Sequence, residues 1–89
     1  MEKIYYTYIV ECADHSYYTG YTTDLAKRVL EHNASLKGAK YTKTRRPIEL
    51  KYHETYNSLS EALKREYKLK RLTHQEKKKL IEEQLRISN

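Results

Sequence analysis

The sequence of 89 residues has no Trp, no Phe, one Pro, two Gly and a single Cys, Cys12. One cysteine cannot form an internal disulfide, and so few Gly and Pro residues argue against disordered, collagen-like and loop-rich scaffolds. No apolar run approaches the roughly 20 residues of a membrane span, and no basic segment followed by an apolar one opens the sequence. We therefore expect a cytoplasmic protein that does not bind membranes.

The chain is short and basic. A chain of this length buries only about two-thirds of the surface that it exposes when unfolded, so we expect a single domain over residues 1–89. Lys and Arg number 18 against 12 Asp and Glu, which gives a formal net charge of +6. An anionic polymer is therefore the leading class of partner, although lysines on solvated helices give the same balance.

The first half of the chain predicts a hairpin, a helix and a loop. Residues 4–12 and 17–22 are rich in β-branched and aromatic residues, which favours a β-hairpin. Thr22, Thr23 and Asp24 can cap a helix over about residues 25–33, whose apolar positions recur at helical spacing. Residues 35–47 contain five cations and no acid, and they indicate an exposed basic loop.

The second half predicts a strand and two helices. Four apolar residues alternate with polar ones over residues 48–56, as in a half-buried strand, and Glu54 interrupts their row: Ile48, Leu50, Tyr52 and Tyr56. Ser58 with Glu61, and Thr73 with Glu76, resemble capping boxes. They predict a helix of about four turns and a second over about residues 75–85, anchored by Leu80, Ile81 and Leu85. The order β-β-α-β-α-α predicts an α+β class, a small three-stranded antiparallel or mixed sheet flanked by helices.

Three polar residues do not suit a purely structural interpretation. Arg28 and His32 lie four residues apart, so they share a helix face beside the apolar stripe and can reach the sheet, or extend to solvent. Glu66 lies within or beside the apolar stripe of its helix, where a carboxylate is costly unless paired. One explanation of this position is a salt bridge to Arg65, Lys70 or a strand residue. The other is that Glu66 binds a divalent cation, since one protein carboxylate suffices for Mg²⁺.

The ten tyrosines supply the large rings of the core in place of Phe and Trp. Six crowd into the predicted hairpin on both faces of its strands, so some hydroxyls must face a cleft or water: Tyr5, Tyr6, Tyr8, Tyr17, Tyr18 and Tyr21. Zinc-ligand spacing, a glycine-rich phosphate loop, a nucleophile elbow and paired carboxylates are all absent from the sequence. The last three of these absences each disfavour a common enzyme class.

Short motifs in order along the chain resemble the GIY-YIG nuclease family, especially its short single-domain bacterial branch. They are Thr7-Tyr8-Ile9, Tyr18-Thr19-Gly20, Arg28, His32-Asn33, Gly38-Ala39-Lys40-Tyr41-Thr42, Arg45-Arg46-Pro47 and Glu61-Ala62-Leu63 leading to Glu66. The resemblance spans almost the whole chain. Thr7 replaces a family Gly and Thr19 a family Ile, and both are backbone or packing positions.

The resemblance implies a site on one face of the sheet and metal-dependent hydrolysis of phosphodiester bonds. It assigns catalytic roles to Tyr8, Tyr18, Arg28 and His32, and binding of one Mg²⁺ or Mn²⁺ ion to Glu66. A tyrosinate would accept a proton from the attacking water, and either tyrosine can serve. A phenol has a pKa of about 10, so we expect Arg28 or the metal to favour its ionised form.

The substrate expected from the charge and the resemblance is nucleic acid, with structured or damaged DNA favoured over RNA and with low sequence specificity. The basic segment would contact phosphates through Lys37, Lys40, Lys43, Arg45 and Arg46. Asn33 is a candidate substrate contact, although helix C-capping is its simpler role. A protein partner could supply specificity. The alternatives are a non-catalytic nucleic-acid-binding module, and an interaction domain whose helix over residues 75–85 docks a partner.

Overall fold

A computed structural model describes residues 3–34 and 37–88. Within these ranges the strands are β1 (Tyr5–Glu11), β2 (Tyr17–Thr22) and β3 (Glu49–Tyr56), and the helices are α1 (Leu25–Ala34), α2 (Lys40–Lys43), α3 (Leu59–Lys70) and α4 (His74–Ser88). The strands form one antiparallel sheet in the order β2-β1-β3. The predicted α+β class and the order of its main elements are confirmed, with α2 as an additional short helix. None of the described helices is long and apolar enough to cross a membrane.

The three long helices begin at polar side chains that accept a backbone N–H of the first turn. Asp24, Ser58 and Thr73 accept from the N–H groups of Lys27, Glu61 and Glu76, at 3.1, 3.2 and 3.2 Å. Glu76 also accepts from the N–H of Thr73 at 2.9 Å, which completes the capping box. Short-range sequence signals therefore located all three helix starts.

Both faces of the sheet are covered. Successive residues of the central strand β1 point to opposite faces, and the four from Thr7 to Val10 are all buried. On the α1 face the buried residues are Tyr8, Val10, Cys12 and Ile48, with Tyr18, Leu25 and Leu50 packed against them. On the α3 and α4 face they are Ile9, Tyr52, Leu69 and Ile81, with Tyr17, Leu72 and Leu80 packed against them.

A β-bulge in β3 changes which face its side chains occupy. Ile9 pairs with Tyr52, but the next residue, Val10, pairs with Leu50, so Lys51 is an extra residue. Leu50 packs against the α1 face, whereas Tyr52 is buried on the opposite face. The prediction that these two side chains share a face is wrong, because the extra residue interrupts the alternation.

Two predictions about burial are also wrong. The segment 35–47 is not simply an exposed loop, because α2 lies within it and Gly38 and Thr42 are buried. Ser35 and Leu36 lie outside the described residues. Leu85, predicted to anchor the last helix, is 56% exposed, and Ile81 is the buried apolar residue of that helix.

Candidate active site

The hydroxyl of Tyr8 lies at the centre of the candidate site. Tyr8 is on the central strand and is 1% exposed. Its Oη lies 2.8 Å from Nε2 of His32 and 3.4 Å from Nε of Arg28, which donates to it. Gly20 on β2 pairs with Tyr8 on β1, and a Cβ atom at position 20 would lie 2.5 Å from the Tyr8 Oη. Glycine is therefore needed at this position so that the phenol can lie flat across the sheet.

Helix α1 brings Arg28 and His32 to this phenol from one face, as their spacing predicted. The side chain of His32 is completely buried. Arg28 is fixed at its other end, because Nη1 donates to the backbone oxygen of Lys37 at 2.9 Å and to Oε1 of Glu31 at 3.2 Å. Both groups therefore point at the sheet and not at solvent.

The tautomer of His32 follows from its second partner. The Thr42 hydroxyl donates to the backbone oxygen of Ala39 at 2.9 Å, so towards His32 Nδ1, also 2.9 Å away, it can only accept. Nδ1 therefore carries the proton, and Nε2 accepts the hydrogen bond of Tyr8. Burial, with help from the charges of Arg28 and Arg46, lowers the pKa of His32 to about 4, so the ring is neutral near pH 7.

Tyr8 is protonated in the resting site. Burial raises its pKa to about 12, and the hydrogen bond and charge of Arg28 lower it less than burial raises it. Arg28 favours the ionised phenol of Tyr8, as expected, but desolvation outweighs the guanidinium, so the phenol stays protonated. The negative charge of Glu66 makes a further, smaller contribution to raising the pKa of Tyr8, so this carboxylate of α3 lies within electrostatic range of the phenol.

Tyr18 lies beside this pair on the edge strand β2 and is half-buried. The edge of its ring packs on His32, with ring centroids 5.4 Å apart and an interplanar angle of 66°. The two tyrosines of the site therefore both contact the same imidazole, Tyr8 through its hydroxyl and Tyr18 through its ring.

Glu66 reaches the site from α3, on the other face of the sheet. Its side chain is 16% exposed and forms an ion pair with Lys70, whose Nζ lies 3.8 Å from its Oε2, so one of the predicted salt bridges is present. This distance is longer than a hydrogen bond, so the carboxylate oxygens can still accept other ligands. Arg65, the other proposed partner, binds Glu54 instead, with Nε 2.9 Å from its Oε1. The Thr7 hydroxyl ties α3 to the sheet by donating to the backbone oxygen of Ala62 at 2.8 Å.

Comparison with known proteins places this arrangement in a family. The sequence matches the GIY-YIG catalytic domain over residues 4–79. The chain belongs to the GIY-YIG family. A UPF0213 protein of Staphylococcus haemolyticus is 57% identical over 79 residues, which are 89% of this chain and 95% of the relative. Another, from Halobacterium salinarum, is 49% identical over 78 residues, 88% of this chain and 100% of the relative.

Two solution NMR structures resemble the fold. A UPF0213 protein from Bacillus halodurans is 46% identical with a TM-score of 0.56, covering 89% of this chain and 83% of that one. A protein from E. faecalis is 38% identical with a TM-score of 0.61, covering 92% and 88%. The resemblance stated from the sequence motifs is thereby confirmed at the level of family and fold.

The donors of this GIY-YIG site fit a largely hydrated cation. Among residues 3–34 and 37–88, no group of three or more His, Cys, Asp or Glu side chains is placed to hold a metal. Glu66 offers a half-buried carboxylate whose charge acts on the Tyr8 phenol. Mg²⁺ commonly takes one protein carboxylate while water and substrate phosphate supply its other ligands. Glu66 is therefore the residue that would hold such an ion.

The five predicted phosphate-binding cations differ in their surroundings. Lys37, Lys40 and Lys43 are exposed. Arg46 instead binds the end of α1, where Nε donates to the backbone oxygen of His32 at 2.5 Å and Nη2 to that of Glu31 at 3.4 Å. A cation there also complements the C-terminal end of the helix dipole, so Arg46 contributes to the fold. Arg45 is half-buried and is ion-paired, as described below.

Asn33 is committed to the fold. Its Nδ2 donates to the backbone oxygen of Ile48 at 2.9 Å, and its Oδ1 accepts from the N–H of the same residue at 2.6 Å. The side-chain amide thus joins the end of α1 to the residue before β3. This geometry gives Asn33 a structural role, and its contact with substrate stays a prediction.

Sequence reasoning gave no role to Thr42 or Glu54. Thr42 lay within a motif quoted for the family resemblance, and its burial beside His32 had no signal in the local pattern. Glu54 was visible only as a break in an apolar row. It accepts hydrogen bonds from Tyr52, Tyr56 and Arg65 and so joins β3 to the helix that carries Glu66.

Proposed function

We propose that this GIY-YIG domain is a metal-dependent endonuclease that hydrolyses phosphodiester bonds in nucleic acid, with structured or damaged DNA as the favoured substrate. One observation carries the proposal: the Tyr8 hydroxyl bridges the Arg28 guanidinium and the unprotonated Nε2 of His32. A proton donor next to a buried neutral base, beside a fixed cation, is an arrangement suited to activating water at a phosphate.

In the proposed mechanism a water molecule attacks phosphorus as the bond from phosphorus to the leaving nucleotide oxygen breaks. The water gives its proton to Tyr8 Oη, while Tyr8 passes its own proton to Nε2 of His32, and the leaving oxygen takes a proton from solvent water. This relay does not require a free tyrosinate, which would be scarce at pH 7 because the pKa of Tyr8 is about 12. The low pKa of His32 keeps the acceptor nitrogen free in the resting site. The negative charge of a bound phosphate would raise the pKa of His32 and favour the transfer.

The remaining groups would stabilise charge. Arg28 is held by Glu31 and the Lys37 backbone, so it can face a phosphate oxygen without reorganising as negative charge develops there. A divalent cation held by Glu66 would withdraw charge from the phosphate and the leaving oxygen when bound. Tyr18, the more exposed of the two tyrosines, would orient the water.

Binding would be largely independent of sequence. Lys40 and Lys43 lie on the short helix α2, which also supplies Thr42 to the site, so phosphates on either side of the cleaved bond can reach them. Contacts of this kind position a strand without reading its bases. We therefore propose that a protein partner or the shape of the nucleic acid supplies specificity.

A cleavage panel tests the proposal. Purified wild-type protein is incubated with duplex, flapped, branched and damaged DNAs and with matched RNAs, in Mn²⁺ and in EDTA. We expect cleavage in Mn²⁺ that EDTA and Glu66→Ala abolish, while Glu83→Ala, an exposed acid of α4, cleaves as the wild type does. Binding without cleavage by the wild type would instead indicate a non-catalytic nucleic-acid-binding module.

A further inference from the structure

Helix α2 brings a third aromatic side chain to the site. The ring of Tyr41 stacks on that of Tyr18, with centroids 6.1 Å apart and planes inclined by 24°. The guanidinium carbon of Arg45 also lies over the Tyr41 ring, 3.9 Å from its centroid. Tyr41 is 39% exposed, so the stack Tyr18–Tyr41–Arg45 runs from the site to the surface.

Arg45 is held firmly at the outer end of this stack. Its Nη1 donates to the backbone oxygen of Tyr41 at 2.8 Å, and its Nε lies 3.2 Å from Oδ2 of Asp14. Its own backbone oxygen accepts from the N–H of Ala13 at 2.8 Å. The β1–β2 turn thus fixes the guanidinium, and the guanidinium packs on the Tyr41 ring by a cation–π contact.

Tyr18 needs such support. It lies on β2, an edge strand with a neighbour on one side only. The edge-on contact with His32 lies on one side of its ring, and Tyr41 stacks on it as well. A half-buried ring on an edge strand has several accessible side-chain angles unless its neighbours restrict them.

We infer that Tyr41 is a positioning residue for Tyr18, and that Arg45 acts as its brace and not as a direct phosphate ligand. The inference rests on the proposed function, because it assigns to Tyr41 the task of holding a site tyrosine. The ring of Tyr41 carries this role, since stacking involves the ring and its hydroxyl is not needed.

The chain offers a closely matched control. Tyr67 on α3 is also an exposed tyrosine with an arginine four residues later. This arginine, Arg71, lies over the Tyr67 ring at 5.4 Å and donates to its hydroxyl at 2.6 Å. Tyr41→Leu and Tyr67→Leu therefore remove similar side chains and similar arginine contacts, and of the two only Tyr41 stacks on Tyr18.

Cleavage kinetics form the first arm of the test. We expect Tyr41→Leu to lower kcat by about tenfold to a hundredfold while KM changes by less than about threefold, because misplacing a reacting group mainly affects the chemical step. Tyr41→Phe, which keeps the ring, and Tyr67→Leu should both remain within about twofold of wild type. A kcat of Tyr41→Leu equal to that of Tyr67→Leu would overturn the inference.

NMR of the unliganded protein with ¹³C-labelled tyrosine forms the second arm and needs no activity. The Tyr18 ring signals, assigned by their loss in Tyr18→Phe, should move in Tyr41→Leu and stay in place in Tyr67→Leu. Arg45→Lys keeps the charge and loses the planar group, so it should shift the Tyr18 ring signals less than Tyr41→Leu does. It replaces Tyr41→Leu in this arm if that variant does not fold. Unmoved Tyr18 signals in the variants that fold would contradict the inference.

A wild type without cleavage would refute the proposed function, and the NMR arm would still decide the role of Tyr41.

Discussion

The hydroxyl of Thr42 determines which nitrogen of His32 carries the proton. Because this hydroxyl donates to the Ala39 backbone, it accepts the Nδ1–H of His32 at 2.9 Å and leaves Nε2 free of hydrogen. The base of the proposed relay is therefore prepared by a residue on a four-residue helix, outside the set assigned from the family motif.

Replacing Thr42 by Val keeps its shape and removes the acceptor. The buried Nδ1–H of His32 then lacks a partner, which should lower the free energy of unfolding by about 1–3 kcal/mol. The loss of a fixed tautomer should also lower the cleavage rate by about tenfold or more. Urea unfolding and single-turnover cleavage measure the two effects. Thr42→Ser retains the hydroxyl and should behave like wild type, and equal rates for the Val and Ser variants would contradict the tautomer assignment.

The buried neutral His32 predicts a pH dependence of stability. Its pKa in the folded state, about 4, is below the ordinary value of 6.5, so the unfolded chain binds more protons between these values. The contribution of neutral His32 to the free energy of unfolding is therefore complete above pH 6.5 and is lost as the pH falls towards 4. Between pH 7 and pH 5, wild type should lose about 2 kcal/mol more unfolding free energy than His32→Gln. Parallel losses in urea titrations of the two proteins would exclude a buried neutral histidine.

The carboxylate of Glu54 predicts a stability effect far from the proposed chemistry. It accepts hydrogen bonds from two tyrosines and from Arg65, and its side chain is 19% exposed. Glu54→Gln should therefore cost about 2 kcal/mol in urea unfolding, since charge-assisted bonds are lost. Glu49→Gln, on the same strand, removes a 72% exposed acid paired with Lys51 and should cost less than about 0.5 kcal/mol. Similar costs for both would mean that the Glu54 network contributes little.

The exposed lysines of α2 predict the salt dependence of binding. Each phosphate contact contributes about 0.9 to the slope of log affinity against log salt on duplex DNA. The double variant Lys40→Ala/Lys43→Ala should therefore reduce this slope by about 1.8. Lys78→Ala/Lys79→Ala on α4 loses the same charge and should leave it unchanged. Fluorescence anisotropy over a range of salt measures the slopes, and equal slopes for the two double variants would remove α2 from the binding surface.

Local sequence signals predicted most of the fold. The three strands and three long helices follow from alternation, helical spacing and caps, each of which depends on neighbours within about four residues. The bulge at Lys51 and the helix α2 were missed, since an extra residue and a single turn leave no periodic signal. Leu85 fits the helical pattern, but it is 56% exposed near the end of α4, and burial there depends on contacts that the pattern does not encode.

The candidate site was predictable in its membership and not in its electrostatics. Spacing placed Arg28 with His32, and the apolar stripe marked Glu66 as unusual. The protonation states of Tyr8 and His32 depend on burial by elements distant in sequence, and for the phenol burial outweighs the expected effect of Arg28. The support of His32 by Thr42 likewise exists only once α2 has packed against α1.

The most direct measurement of the central claim is the single-turnover cleavage rate of Tyr8→Phe in Mn²⁺. The variant keeps the buried ring and removes the hydroxyl that joins Arg28 to His32, with Tyr17→Phe, a half-buried tyrosine on the opposite face of the sheet, as the control. We predict that the Tyr8→Phe rate falls by about a hundredfold or more, with Tyr17→Phe within about twofold of wild type. A Tyr8→Phe rate close to that of wild type would show that the hydroxyl of Tyr8 carries no proton in the reaction.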